Sequence, residues 1–220
     1  MSEPDYVKEL PPSERYLGDA EAGEIEIVSK SEAPGIKDKT GILLEDSLHF
    51  FVRDAVRFRN GETKTEMRII GRTAFDGPSG VVALGWRNGK IVLREMFRHA
   101  TREWGLETAR GQRETGYTPE EAARKELDEE IGYPVKSVER IGEVTGDTAI
   151  LAGTLPVFWA ELGEGPRRDD PEGSEALGEV LELTPAELVR RIANGEIRDG
   201  YTLAALTLAQ VAGKLVLPDK

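Results

Sequence analysis

Between Gly111 and Tyr133 the chain reads "GQRETGYTPEEAARKELDEEIGY", with acids at 126, 128, 129 and 130 crowded onto one turn. Like charges spaced four apart weaken a helix. A chain that keeps them either solvates them or sets a cation among them. Carboxylates are hard oxygen ligands, suited to Mg²⁺, Mn²⁺ or Ca²⁺. The rest of the chain narrows the choice in the same direction. It has no cysteine, and its only histidines are His49 and His99, so thiolate and multi-histidine metal centres are not expected.

The spacing predicts the helix that would carry these acids. Thr118 is placed as N-cap, Pro119 fits the first helical position, Glu121 closes a capping box, and Gly132 stops the helix. Ala123, Leu127 and Ile131 recur every four residues as an apolar stripe. Glu126, Glu129 and Glu130, related by three and four positions, are expected to share a second face. A solvated acidic face, partly neutralised by Arg124 and Lys125, is one reading. The other is a cation pocket. Gly111 precedes the helix by one loop and permits close backbone approach.

The stretch resembles the Nudix box, G-x5-E-x7-R-E-U-x-E-E-x-G-U, with U bulky and apolar. Gly111, Glu126, Leu127, Glu129, Glu130, Gly132 and Tyr133 fall at matching positions. Tyr117 stands where the family has Glu, and Lys125 where it has Arg. The preceding "REWGLETARG" is similar to the segment before the box in ADP-ribose and nucleoside-diphosphate-sugar pyrophosphatases, with Ala109 replacing the usual Pro. "LREMFR" and "NGEIRDGYTLAAL" also resemble that subgroup.

The resemblance implies hydrolysis of the pyrophosphate bond of a nucleoside diphosphate linked to another moiety, with ADP-ribose the leading substrate and GDP-mannose, other nucleotide sugars and dinucleotides open. It implies Mg²⁺ or Mn²⁺ held by Glu126 and Glu130, with the Arg110 carbonyl as a further ligand. Glu129 is expected as a third ligand or to orient water, and Glu129 and Glu130 as the catalytic acids. Arg98 and Glu107 are expected at the substrate. A Nudix-fold binding or regulatory module with little or no hydrolysis is the alternative. Tyr117 suggests it by removing a carboxylate, and Lys125 by replacing a planar fork with a point charge. The base is not identified: Glu143, Asp147, Asp169, Asp170, Glu172 and Glu175 are candidates on later segments. Trp86, Trp104 and Trp159 could stack a base, although a tryptophan on a strand is more often core.

These residues need a scaffold, and the pattern predicts an α+β one, the Nudix fold with an N-terminal antiparallel β segment. Residues 1–22, rich in Pro, Glu and Gly, are expected as a flexible arm. Residues 23–68 are expected as the β segment, with a hairpin at Asn60-Gly61, and residues 69–220 as the hydrolase domain. In the latter, "GVVALGWRNGKIVLREMFR" reads as two strands around Asn88-Gly89, and "TREWGLETARG" as one strand. "VKSVERIGEVTG" and "GTLPVFWAEL" read as further strands, "RRDDPEGSEALG" as a charged loop, and "TPAELVRRIANG" and "YTLAALTLAQVAGK" as helices.

A net charge of −12 argues against nucleic-acid or anionic-membrane partners, which need a basic surface. No run has the length of a membrane span, and the polar N-terminus is unlike a signal peptide, so a cytoplasmic location is expected. Leu48, Phe50, Phe51 and Val52 make too apolar a run for an isolated hairpin. A homodimer built through residues 23–68 is therefore expected, with a small-molecule nucleoside diphosphate derivative as the other partner.

Overall fold

The structure, a computed structural model, describes residues 3–168 and 176–218. The chain divides into two units. One comprises Met1–Ser79 with Asp147–Gly153, the other Gly80–Gly146 with Thr154–Lys220.

The second unit is built on a mixed sheet. β5 (Gly80–Arg87) and β6 (Lys90–Arg98) are antiparallel around a two-residue turn in which Asn88 and Gly89 have φ of 50° and 79°. Two successive left-handed residues match the right-handed twist of the strands they join, as the Asn-Gly pair predicts. β10 (Leu155–Leu162) pairs parallel with β5, and β9 (Val135–Val144) antiparallel with β10. β11 (Leu177–Leu183) closes the other edge against β6.

β5 and β10 bury both faces, which is why they read as unbroken apolar runs rather than alternating ones. On one face Val81, Ala83, Val92, Phe158 and Ala160 pack against Ala122, Ala123, Leu127 and Ile131. These last come from α1 (Pro119–Glu126) and the turn that follows it. On the other face Val82, Leu84, Ile91, Leu93, Val157 and Trp159 meet Leu188 of α2 (Pro185–Ala193) and Ala205, Leu206 and Ala209 of α3 (Gly200–Val211).

Several boundaries differ from the sequence pattern. "TREWGLETARG" is two strands. β7 (Glu103–Glu107) pairs with β6, and β8 (Ala109–Gln112) pairs with β5. The break falls at Thr108, which is fully buried. Its hydroxyl donates to the Ala83 carbonyl at 2.7 Å, and its N–H donates to Thr202 Oγ1 at 3.0 Å. β11 occupies "LGEVLEL", a segment in which no strand was expected. Its partly buried residues Val180 and Leu181 pair with Arg94 and Leu93.

The first unit contains β1 (Glu26–Val28), β2 (Gly41–Glu45), β3 (His49–Arg57) and β4 (Thr63–Gly71), the other three each pairing antiparallel with β3. The hairpin expected at Asn60-Gly61 joins β3 and β4, although β4 runs beyond Arg68 to Gly71. Residues 3–22 are not the loose arm that their composition suggests. Val7 and Leu10 are fully buried, in clusters with Ile27 and Val56 and with Phe50, Val52 and Ile70. Tyr6 anchors the segment. Its hydroxyl donates to Asp54 Oδ1 at 2.5 Å, and Arg68 Nε donates to the other oxygen of the same carboxylate at 2.7 Å. Burial and the neighbouring Asp54 charge push the Tyr6 hydroxyl well above the ordinary tyrosine range. Among the described residues no helix is long and apolar enough to cross a membrane.

Removing the Tyr6 hydroxyl leaves the nearly buried Asp54 carboxylate one donor short. Hydrogen bonds to charged groups contribute about 1.5–3 kcal/mol. Tyr6→Phe is expected to destabilise the N-terminal unit by that order in chemical denaturation and to expose residues 3–22 to limited proteolysis. An unchanged midpoint and cleavage pattern would return the segment to the status of a loose arm.

Candidate active site

α1 begins as its sequence dictates. Glu121 N–H donates to Thr118 Oγ1 at 3.2 Å, and Glu121 Oε2 accepts from the Thr118 N–H at 2.8 Å, a complete capping box. Its end differs from a regular helix. Residues Leu127–Ile131 form a π-helical turn, closed by the Gly132 N–H donating to the Leu127 carbonyl at 2.9 Å. Gly132 sits at φ 79°, and a Cβ there would lie 2.5 Å from the Arg168 carbonyl, so both conformation and space call for glycine.

The wide turn corrects the expectation of one shared acidic face. Glu126 lies against Gly111 of β8, so closely that a Cβ on residue 111 would stand 2.2 Å from Glu126 Oε1. Glu130 is 2% exposed, and its Oε2 accepts the Arg110 backbone N–H at 3.0 Å. Glu129 is directed elsewhere, to Lys125 Nζ at 2.7 Å. The same ammonium reaches Glu114 at 3.3 Å, and its pKa is pushed up chiefly by the Glu129 hydrogen bond. Lys125 thus braces Glu129 and the loop before the helix. Tyr117, at the other departure from the box, is 40% exposed, and its carbonyl accepts from Arg113 Nη1 at 2.8 Å.

Beside these acids lies an ionic clasp. Glu107, at the end of β7 and 4% exposed, accepts on Oε2 alone from Arg98 Nη2 at 2.7 Å and Nε at 2.9 Å. Arg110 adds Nη2 at 2.9 Å and Nε at 3.3 Å to the same oxygen. Burial opposes ionisation of Glu107, but the two guanidinium groups outweigh it and hold the carboxyl below its ordinary value. Arg110 also reaches Asp199 Oδ1 at 3.3 Å and lies 4.8 Å from the Tyr201 ring centroid. Asp199 in turn caps α3 through the Thr202 N–H and hydroxyl, both at 2.8 Å. Arg98, Glu107, Arg110 and Asp199 line a cavity of about 450 Å³ with Trp104 and Arg198.

The structure therefore brings Arg98, Glu107 and Arg110 into one cluster and sets Glu126 and Glu130 against β8. Asp199 and the Arg110 side chain were not singled out from the sequence. The signal for Asp199 was its place in "NGEIRDGYTLAAL", where the "RDGYT" spacing also reads as a plain helix cap. Glu143 pairs with Arg140 on β9, and Asp147 belongs to the N-terminal unit, where it caps a turn through the Ala149 N–H at 3.0 Å. Asp169, Asp170, Glu172 and Glu175 lie outside the described residues. Trp159 is core, its ring centroid 5.3 Å from that of Trp86, whereas Trp104 is half exposed with Phe97 against its ring.

Among the described residues no three acidic or histidine side chains converge as a ready-made metal cage. The donor set still fits a hard divalent ion. Mg²⁺ keeps several waters and takes only one or two protein carboxylates, completing its shell with substrate phosphate. Glu126 and Glu130 would be those carboxylates, and Gly111 leaves the space a side chain would fill.

With this geometry in hand, the family is clear: residues 78–205 match the NUDIX domain, and the chain belongs to that family. The chain is 33% identical over 177 residues to a GDP-mannose pyrophosphatase of Yersinia enterocolitica, covering 76% of this chain and 90% of the relative. A GDP-mannose pyrophosphatase of Pectobacterium atrosepticum is 31% identical over 175 residues, covering 76% and 88%. The crystal structure of an ADP compounds hydrolase superposes with a TM-score of 0.64 over 80% of this chain and 95% of that one, at 16% identity, a likeness of fold.

The clasp makes stability depend on acid. The folded-state pKa of Glu107 is depressed, so its contribution is complete above the ordinary value of 4.5 and is lost as pH falls through the lower folded value. Urea unfolding of wild type and Glu107→Gln is expected to show a gap at neutral pH that narrows as pH falls below 4.5. A gap independent of pH would dissociate Glu107 from the clasp.

Proposed function

We propose that this chain hydrolyses the pyrophosphate bond of a nucleoside diphosphate sugar, using a divalent cation held by Glu126, Glu130 and the Arg110 carbonyl. The observation that carries this reading is the Glu126 carboxylate resting on Gly111 while Glu130 is fixed to the preceding backbone N–H, that of Arg110, with two arginine side chains alongside. The names of the relatives move the leading substrate from ADP-ribose to GDP-mannose.

The cation, Mg²⁺ or Mn²⁺, supplies charge neutralisation on the phosphate oxygens and lowers the pKa of water. Arg98 and Arg110 present guanidinium groups to the diphosphate, exchanging part of their contact with Glu107 for phosphate oxygens. Glu107 holds both arginines in place before substrate arrives, so little reorganisation is needed on binding. Glu129, kept at the rim by Lys125, fits the role of orienting water better than that of a third metal ligand. Attack on phosphorus breaks the anhydride bond and yields a nucleoside monophosphate and a sugar phosphate.

Purified protein with Mg²⁺ or Mn²⁺, given GDP-mannose, ADP-ribose and dinucleotides, is expected to release paired monophosphates most rapidly from a nucleotide sugar. Glu130→Gln keeps volume and removes charge, and should lower kcat by about 100-fold or more with the fold intact. Unchanged turnover in that variant would remove Glu130 from the mechanism.

A homodimer through the N-terminal unit is part of the same reading. Ile25, Leu44, Leu48 and Phe75 of that unit are each about half exposed, which favours a cover. Light scattering at micromolar concentration should give twice the chain mass. A mass near the 24.2 kDa of one chain would rule the dimer out.

A further inference from the structure

We propose that Arg94 is a positioning residue whose buried guanidinium fixes the π-helical turn and so sets the place of the Glu130 carboxylate. The inference rests on the metal-binding reading above. Strand alternation puts Arg94 on the same face of β6 as Val92. Val92 belongs to the apolar cluster that holds Leu127 and Ile131. Arg94 is 5% exposed there. A guanidinium in such surroundings is costly unless its donors meet acceptors.

Its donors do meet acceptors, and the choice of acceptors is informative. Nη1 donates to the Glu130 carbonyl at 2.5 Å, and Nε donates to the Gly178 carbonyl at 3.2 Å. Gly178 lies where β11 slips register against β6. The last carbonyls of a helix lack partners within it, and Arg94 supplies one at the residue whose side chain serves the site. Glu130 is then held at two points. β6 holds its backbone through Arg94, and β8 holds its carboxylate through the Arg110 N–H. A planar fork fixes two acceptors in one orientation, which a lysine cannot do.

Outer-shell partners of metal ligands typically tune affinity by 10–100-fold. Mn²⁺ titration of the full chain, followed by electron paramagnetic resonance, should show Arg94→Met weakening Mn²⁺ by about that factor and Arg94→Lys by less. Leu188→Ala, on α2 beneath the opposite face of the sheet, serves as a stability control. It should lower Tm and leave Mn²⁺ affinity unchanged. Affinity within about twofold of wild type for Arg94→Met overturns the proposal. If that variant does not fold, full affinity in Arg94→Lys overturns it. An equal loss of affinity in Leu188→Ala also overturns it, because general loosening would then suffice. Absence of Mn²⁺ binding by wild type overturns this inference and the metal reading together. Binding lost in Glu130→Gln but kept in Arg94→Met overturns only the role of Arg94.

Discussion

The approach of the Glu126 carboxylate to Gly111 is the constraint around which the catalytic unit is arranged. A carboxylate can rest on a strand only where that strand has no side chain at the point of contact. Gly111 provides that opening, and β8 must then be held in register so that the opening faces the helix. The pairing of β8 with β5 and the buried Thr108 hydrogen bonds fix that register. The helix is held just as firmly, by its capping box at one end and by Leu127 and Ile131 in the core at the other.

The acids in this turn do not bear equal repulsion, because the fold separates them. Glu129 is paired with Lys125, Asp128 with Arg168 at 3.0 Å, and Glu130 accepts a hydrogen bond from a backbone N–H. The same logic governs the neighbouring clasp, where two arginines converge on one oxygen of Glu107. Two guanidinium groups this close would repel strongly if unpaired. Glu107 and Asp199 keep them together in a cavity where burial strengthens each interaction.

Much of this was legible in the sequence where local chemistry decides structure. The Asn88-Gly89 turn, the capping box at Thr118, and the apolar runs of β5 and β10 formed as their residues dictate. The π-helical turn was not legible, because its apolar positions fit an ordinary helical period as well. β11 was hidden by its acids and its glycine, since an edge strand pairs on one side only and need not be uniformly apolar. Residues 3–22 were misread because a few buried anchors, Tyr6, Val7 and Leu10, outweigh a composition that looks unstructured. Asp199 and Arg94 escaped notice for a common reason. Each acts on a partner far along the chain, and spacing reports only near neighbours.

That distance in sequence has a kinetic side. The start of α3 is sealed by a hydrogen bond between Thr108 and Thr202, 94 residues apart, and Arg110 meets Asp199 across 89. Closures of this span cost much chain entropy before they return any contact energy, so they are slow to form relative to hairpins and single helices. The hairpin at Asn88-Gly89 and the helix at Thr118 can assemble from local information. The links from Thr108 to Thr202 and from Arg110 to Asp199 cannot, because they need the third helix docked on the sheet. A nascent chain that stops short of Asp199 would have the box acids and the Glu107 partner of Arg110, but not the carboxylate that ties the Arg110 side chain to the third helix.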